Sequence, residues 1–472
     1  MGYLRVYTGE VREPNYPRAL ADSVHMTYVE ESGREFPLNQ GYGILYAQAQ
    51  IRPDNTIAPR GIANPRILSL EEGYGILAEP VDLDGNPMEG DLILWKTQDF
   101  LRFWQEPAER ETWQREYDRA GQELLTSETQ WDVIRKRWAV RPEDPQTQRV
   151  DFPLAVGWAD PVIFSRQGRW YFLATNDNNN NIGLFIREAE SVAGLFAPET
   201  EIHCILDYDQ EKEFIQTFWA PEYHVIGGEE YILFAVSGSQ WGPQCHMMRL
   251  KKGGNLIRPE DWETPVRVRR QDGKPLTESG ISLDMTYFKA GEVSYMVWSY
   301  RYGIGTALDT GSMLYIATVD EEKPWELTSE PVLLSRPLYG WENQKGTINN
   351  EGPYALLLGD WVYLAYSGGG ACDPTYAVGY LVARQKDDLL DLRSWYKEPA
   401  AMLHRGSVEG IEGPGHNSFF RDEKGELMIA YHAQERERFH MRCTTFHRVH
   451  VSGQGMPLLH IPFLTDAENG DR

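Results

Sequence analysis

Cysteine is scarce. Cys204, Cys245, Cys372 and Cys443 are the only four in 472 residues, and they lie far apart. A disulfide framework or a zinc knuckle needs thiols at paired spacings, so neither is expected. No stretch approaches the ~18 to 20 consecutive apolar residues of a membrane-spanning helix, and no membrane partner is expected. Basic charge is the minority: 46 Lys+Arg face 70 Asp+Glu, for a formal net charge of −24. Nucleic-acid binding requires a basic face toward phosphate, so that partner is excluded, and the acidic excess is read as a solvated surface. The opening residues 1–11 carry no basic run followed by an apolar segment. No secretory signal is read there, and a cytoplasmic location with reduced thiols is the expectation.

What the chain does have is aromatic side chains and an internal repeat. Aromatics make up 12% of it, with 15 Trp and 25 Tyr. Most must fill core, but sugar sites also use Trp and Tyr faces against the C–H side of a ring. Five stretches, opening at Asp160, Glu222, Asp284, Glu351 and His416, recur every 62 to 67 residues. Each reads as a strand, a tight turn (Gln167-Gly168, Gly227-Gly228, Ala290-Gly291, Gly359-Asp360, Glu423 to Gly425) and a second strand rich in Tyr, Phe, Val and Ile. Roughly 40 further residues leave room for two more strands, and four strands per repeat predict a propeller blade. The fold class expected is therefore all-β: a five-bladed β-propeller over residues 151–465. Residues 1–150 are read as an additional N-terminal β-rich domain. Within them a blade-like repeat places Asn64 where the other units have an ionisable group. This segment either packs beside a five-bladed ring or enters it as a sixth blade, and the first is preferred because five repeats already supply a full set of central residues.

Innermost strands of a propeller line one channel, so the five opening residues converge on one mouth. Four carboxyl groups and an imidazole gathered in a pocket suit acid/base chemistry. Glycosidic bond hydrolysis uses such a set: one protonated carboxyl gives its proton to the leaving oxygen while an ionised partner activates water or attacks carbon. A third carboxylate near the acid raises its pKa by repulsion and keeps it protonated.

The motifs Gly157-Trp158-Ala159-Asp160-Pro161, Trp219-Ala220-Pro221-Glu222, Ser282-Leu283-Asp284, Glu351-Gly352-Pro353-Tyr354 and Gly413-Pro414-Gly415-His416-Asn417 resemble the successive blade signatures of glycoside hydrolase family 43. That family contains five-bladed arabinofuranosidases, xylosidases and arabinanases. The resemblance spans about residues 155 to 460 and implies an inverting mechanism. In it Asp160 is the general base, Glu351 the general acid, and Asp284 the group that tunes and orients the acid. Met285 departs from the family pattern, which has proline after the third acid. The resemblance further implies that His416 helps hold a hydrated metal ion such as Ca2+, with a hydrogen-bonded channel histidine as the alternative. The chemistry itself requires no cofactor. Glu222 is expected to face the same cavity, where it bonds a sugar hydroxyl or pairs structurally. Trp158, Trp219 and Trp341 are candidates for the sugar platform, and Asn176 or Asp177 for the channel mouth.

Two enzymatic rivals fail on residues. A fructan-cleaving site places its acid after a Cys-containing motif, whereas Glu351 follows Asn349 and Asn350; a phosphorylase needs a basic cluster that these motifs lack. The expected function is an inverting, exo-acting hydrolase releasing terminal α-L-arabinofuranosyl residues from oligosaccharides, the expected partner. β-D-galactofuranosidase and β-D-xylosidase activities stay open on the same scaffold, and a catalytically inactive carbohydrate-binding propeller is the non-enzymatic alternative.

Overall fold

The computed structural model describes residues 2–11, 16–138, 150–344, 348–435, 438–452 and 455–460. Five four-stranded antiparallel sheets follow one another along the second part of the chain. Their first strands are Trp158–Arg166, Gln216–Ile226, Ile281–Ala290, Asn350–Leu358 and Ile411–Arg421. Each continues through a hairpin that turns on a glycine of positive φ, as at Gly168 (77°) and Gly425 (79°), a state glycine reaches without steric penalty. The fifth sheet has an unusual outer edge: its last strand is Ala155–Val156, contributed by residues that precede the first sheet.

Apolar side chains on both faces of these strands pack each sheet against the next. Val162, Leu173 and Ile186 of the first sheet meet Ile232, Phe234 and Met248 of the second, and Phe420, Met428 and Ala430 of the fifth return to meet Ile163 and Phe172 of the first. The other three interfaces are filled in the same way. The first strands touch in cyclic order, the fifth against the first, so the sheets form a ring with these strands at its centre. A fully buried Leu, Ile or Phe contributes about 1.5–3 kcal/mol, and five such interfaces hold the ring with none of the four cysteines in a disulfide.

The Asn64 repeat also forms a four-stranded sheet, from Gly61–Ser69, Tyr74–Val81, Leu92–Thr97 and Trp104–Ala108, but the ring closes without it. It packs with a second sheet built on Gly2–Thr8 and with the helix Glu128–Trp138 around a separate core that includes Leu4, Ile62, Trp95 and Trp138. This N-terminal part sits on the connections that lead into the first strands of the fourth and fifth sheets. Asn39 Nδ2 donates to the Ala401 carbonyl (3.2 Å), the Ala49 amide to the Leu338 carbonyl (2.7 Å), and Tyr42 stacks on His404 at 4.1 Å. Arg137 pairs with Glu398 at 3.1 Å, with only 4% and 3% of the side chains exposed. Removing one partner of so buried a pair strands the other charge. Arg137→Ala is therefore expected to destabilise the protein by about 3–5 kcal/mol, read from urea unfolding.

Candidate active site

Every first strand of the ring carries the same irregularity: two residues oppose one on the neighbouring strand, between Ala159 and Val162, Trp219 and Glu222, Leu283 and Thr286, Glu351 and Tyr354, and Gly415 and Ser418. The first residue of each bulge is left-handed: Asp160 (φ 54°), Ala220 (48°), Asp284 (52°), Gly352 (53°) and His416 (46°). Asn64 (49°) heads the same bulge in the N-terminal sheet. Such a backbone costs a non-glycine residue about 1–3 kcal/mol, and it re-aims the side chain out of the regular alternation. The structural equivalents are thus Asp160, Ala220, Asp284, Gly352 and His416. Glu222 stands two residues past its bulge head and Glu351 one before, which corrects the alignment drawn from sequence spacing.

Asp160 lies at the centre of a dense set of polar partners. Thr175 Oγ1 donates to Oδ2 (2.5 Å), while His416 Nδ1 (3.2 Å), His432 Nδ1 (3.1 Å) and Arg442 Nη1 (3.2 Å) surround Oδ1. Burial alone would raise its pKa, but His416, Arg442 and His432 outweigh that and hold the carboxyl well below its ordinary range. Arg442 is braced from behind by Asp177 at 2.6 and 2.9 Å. Glu351 shows the opposite balance. Burial and then the negative charge of Asp284 push it up to about 7, only partly opposed by His416 and the Tyr376 hydroxyl that donates to it at 3.0 Å. Asp284 accepts from the Gly352 amide (3.1 Å) and from Ser299 (3.0 Å), so it is tied to the residue next to Glu351. The pKa of His416 is raised: burial works against its charge, but Asp160, Asp284, Glu351 and Glu222 together prevail.

Glu222 is 3% exposed and bonds His224 Nε2 at 2.7 Å, so its carboxyl already has a protein partner. The expected aromatic platform is reduced by the structure. Trp341 is fully buried, bonds the Pro399 carbonyl and packs on Tyr366; Trp158 is enclosed by Phe172, Phe185 and Arg187. Both are core residues. Trp219 remains half-buried, its indole N–H without a hydrogen-bond partner. Asn176 caps the turn that follows it by accepting from the Asn178 amide (3.1 Å), and it is Asp177 that reaches the site, through Arg442. For a cation the donor set is poor. Ca2+ takes six to eight oxygen ligands, whereas His416 Nδ1 is turned to Asp160, and no group of three His, Cys, Asp or Glu able to hold a metal occurs among the described residues.

Thr175, Tyr376, His432 and Arg442 were not singled out from the sequence. A signal existed for two of them: Thr175, Ser299, Ser367 and His432 occupy one register position, opposite the residue before each bulge.

A carboxylate held ionised and a carboxyl held protonated in one buried cluster are the working parts of a glycoside hydrolase. Comparison with known proteins narrows the class: residues 202–457 match the model of glycosyl hydrolases family 43, and the chain belongs to that family. It is 31% identical over 336 residues to an extracellular exo-alpha-(1->5)-L-arabinofuranosidase of Streptomyces avermitilis, a match covering 69% of this chain and 66% of the relative. A protein of the same name from Streptomyces chartreusis is 30% identical, over 62% of this chain and 84% of the relative. The crystal structure of an alpha-L-arabinofuranosidase from Lactobacillus brevis superposes with a TM-score of 0.56 at 28% identity, over 65% of this chain and 94% of that one. Both Streptomyces relatives are named extracellular, which overturns the expected cytoplasmic location. The wide spacing of the cysteines and the look of the first residues were too weak a basis for assigning a compartment.

Proposed function

We propose that the protein is an exo-acting α-L-arabinofuranosidase that works with inversion, its five sheets being the blades of a propeller. The observation that carries the reading is the opposite tuning of Asp160 and Glu351 in one buried cluster, in a chain whose relatives are named arabinofuranosidases. In this mechanism a water attacks the anomeric carbon as Asp160 takes its proton. The glycosidic bond breaks toward the oxygen, and Glu351 gives that oxygen its proton. Asp284 contributes negative charge beside Glu351 and holds the Gly352 amide, fixing the acid and keeping it protonated near neutrality.

The test is hydrolysis of 4-nitrophenyl α-L-arabinofuranoside, β-D-galactofuranoside and β-D-xylopyranoside, followed by proton NMR of the first-formed sugar. Release of β-L-arabinofuranose from the first substrate is the expected result. A product of retained configuration sinks the inverting assignment, preference for the galactofuranoside or xyloside reassigns the sugar, and silence on all three with sugar binding intact favours a non-catalytic propeller.

The pH profile follows from the same two carboxyls. Glu351 must be protonated, so activity is expected to fall as pH rises through about 7; Asp160 must be ionised, so the acid limb lies below the ordinary carboxylate range. Asp284→Asn removes a negative charge that raises the Glu351 pKa. The alkaline limb of kcat/KM is expected to move to lower pH in that variant, and an unmoved limb would count against the tuning role.

A further inference from the structure

A bulge takes an amide N–H out of the strand ladder, and a buried amide needs another acceptor. In four of the five bulges of the ring a side chain from the preceding sheet supplies it. Three use an oxygen: Thr175 Oγ1 for Ala220 (2.8 Å), Ser367 Oγ for His416 (2.8 Å) and Asp284 Oδ2 for Gly352 (3.1 Å). The fourth uses an imidazole, His432 Nδ1, which takes the Asp160 amide at 3.3 Å. A threonine or serine meets this demand elsewhere in the ring, so a whole imidazole exceeds what the backbone asks for.

The rest of the ring has partners of its own. His432 is fully buried, and its Nε2 faces the Ala371 carbonyl at 3.2 Å. A carbonyl only accepts, so Nε2 carries the hydrogen and Nδ1 is left to accept the Asp160 amide in the neutral ring. Burial favours that neutral form by lowering the pKa. One face of the imidazole lies against Tyr376, 5.5 Å between centroids and 9° from parallel, and the Tyr376 hydroxyl donates to Glu351. Ala371 and Tyr376 belong to a single connection, between the second and third strands of the fourth sheet.

We propose that His432 is a positioning residue that sets the base and the acid relative to each other. Nδ1 holds the backbone of Asp160, Nε2 holds the connection at Ala371, and the ring face seats Tyr376 against Glu351. The inference rests on the reading of Asp160 as base and Glu351 as acid. Misplacement of a reacting group by about 1 Å costs on the order of 10²-fold in rate, which sets the effect to look for.

His432→Thr places at this position the kind of hydroxyl that serves the other bulges, and separates scaffolding from positioning. Thermal midpoint, KM and kcat would be measured on an arabino-oligosaccharide and on 4-nitrophenyl α-L-arabinofuranoside. A midpoint and KM close to wild type, with kcat lowered about 10- to 100-fold on the oligosaccharide and by less on the aryl glycoside, is the expected result. A folded variant with wild-type kcat overturns the proposal. Should His432→Thr not fold, His432→Asn decides: its Oδ1 stands where Nδ1 was, while Nε2 and the stacked face are gone. A larger loss of kcat on the oligosaccharide than on the aryl glycoside is then expected, and wild-type rates on both overturn the proposal. Failure of the underlying reading is visible separately, since an Asp160→Asn variant that turns over normally removes the base assignment itself. An inactive Asp160→Asn alongside a fully active His432→Thr removes only the role given to His432.

Discussion

Glu351→Gln is expected to lower kcat on arabino-oligosaccharides by about 10²–10⁴-fold, while most of the turnover of 4-nitrophenyl α-L-arabinofuranoside survives. The asymmetry comes from the leaving group. A sugar alkoxide is too basic to depart without a proton, whereas 4-nitrophenolate leaves unaided. Glutamine keeps the shape of the side chain and an oxygen for the Tyr376 hydroxyl, so the site is not emptied; what it lacks is the acidic hydrogen. Like the protonated acid, glutamine is uncharged beside Asp284, so the substitution introduces no new repulsion. The measurement is kcat on the two substrates side by side. An equal fall on both would move Glu351 from the leaving-group side of the reaction to the water side.

Asp160→Asn is expected to remove activity on both substrates alike, by about 10²–10⁴-fold, because activation of water is needed whatever the leaving group. This substitution also disturbs the protein. The carboxylate offsets His416 and Arg442 within one buried cluster, and in the variant only Asp177 still answers Arg442. Uncovering a buried charge costs about 3–5 kcal/mol, so a lower thermal midpoint is expected together with the loss of rate. The wild-type protein shows the same dependence through pH. The Asp160 pKa is depressed in the folded state, so its contribution is complete above the unfolded carboxylate pKa of about 3.9 and is lost as pH falls through the folded value. An Asp160→Asn protein that keeps its midpoint but not its activity would show that the surrounding cations are compensated elsewhere.

Most of the ring was legible because its signals are local. Period-two apolar strands, glycine-centred turns and a repeat of constant length need no knowledge of distant residues, and they located all five sheets. Asp160, Asp284 and His416 were found because each heads a bulge that the sequence marks with a small motif. Glu222 and Glu351 were aligned two positions and one position away from true equivalence, since a bulge displaces its neighbours and sequence spacing does not report left-handed backbone. Trp341 looked available because it flanks a motif, yet the Pro399 carbonyl and the Tyr366 ring claim it, and both contacts depend on how the connections of the fourth sheet fold over. Arg442 and Tyr376 were invisible for a related reason: nothing in their own neighbourhoods signals that a carboxyl from another sheet will lie against them.

The clasp between Ala155–Val156 and the fifth sheet also fixes when, during synthesis, the site comes into being. The partners of Asp160 are far downstream, with His432 272 positions away and Arg442 282. A ribosome adding about 5–20 residues per second takes on the order of 15 to 60 seconds to cover that stretch. Throughout that interval the first sheet lacks its fifth-sheet neighbour, and the Asp160 carboxylate lacks the imidazoles and guanidinium that enclose it. A nascent chain cut between residues 376 and 442 therefore carries the acid, Glu351, with its Tyr376 partner but an unfinished base, so hydrolysis can begin only once the last sheet has met the first.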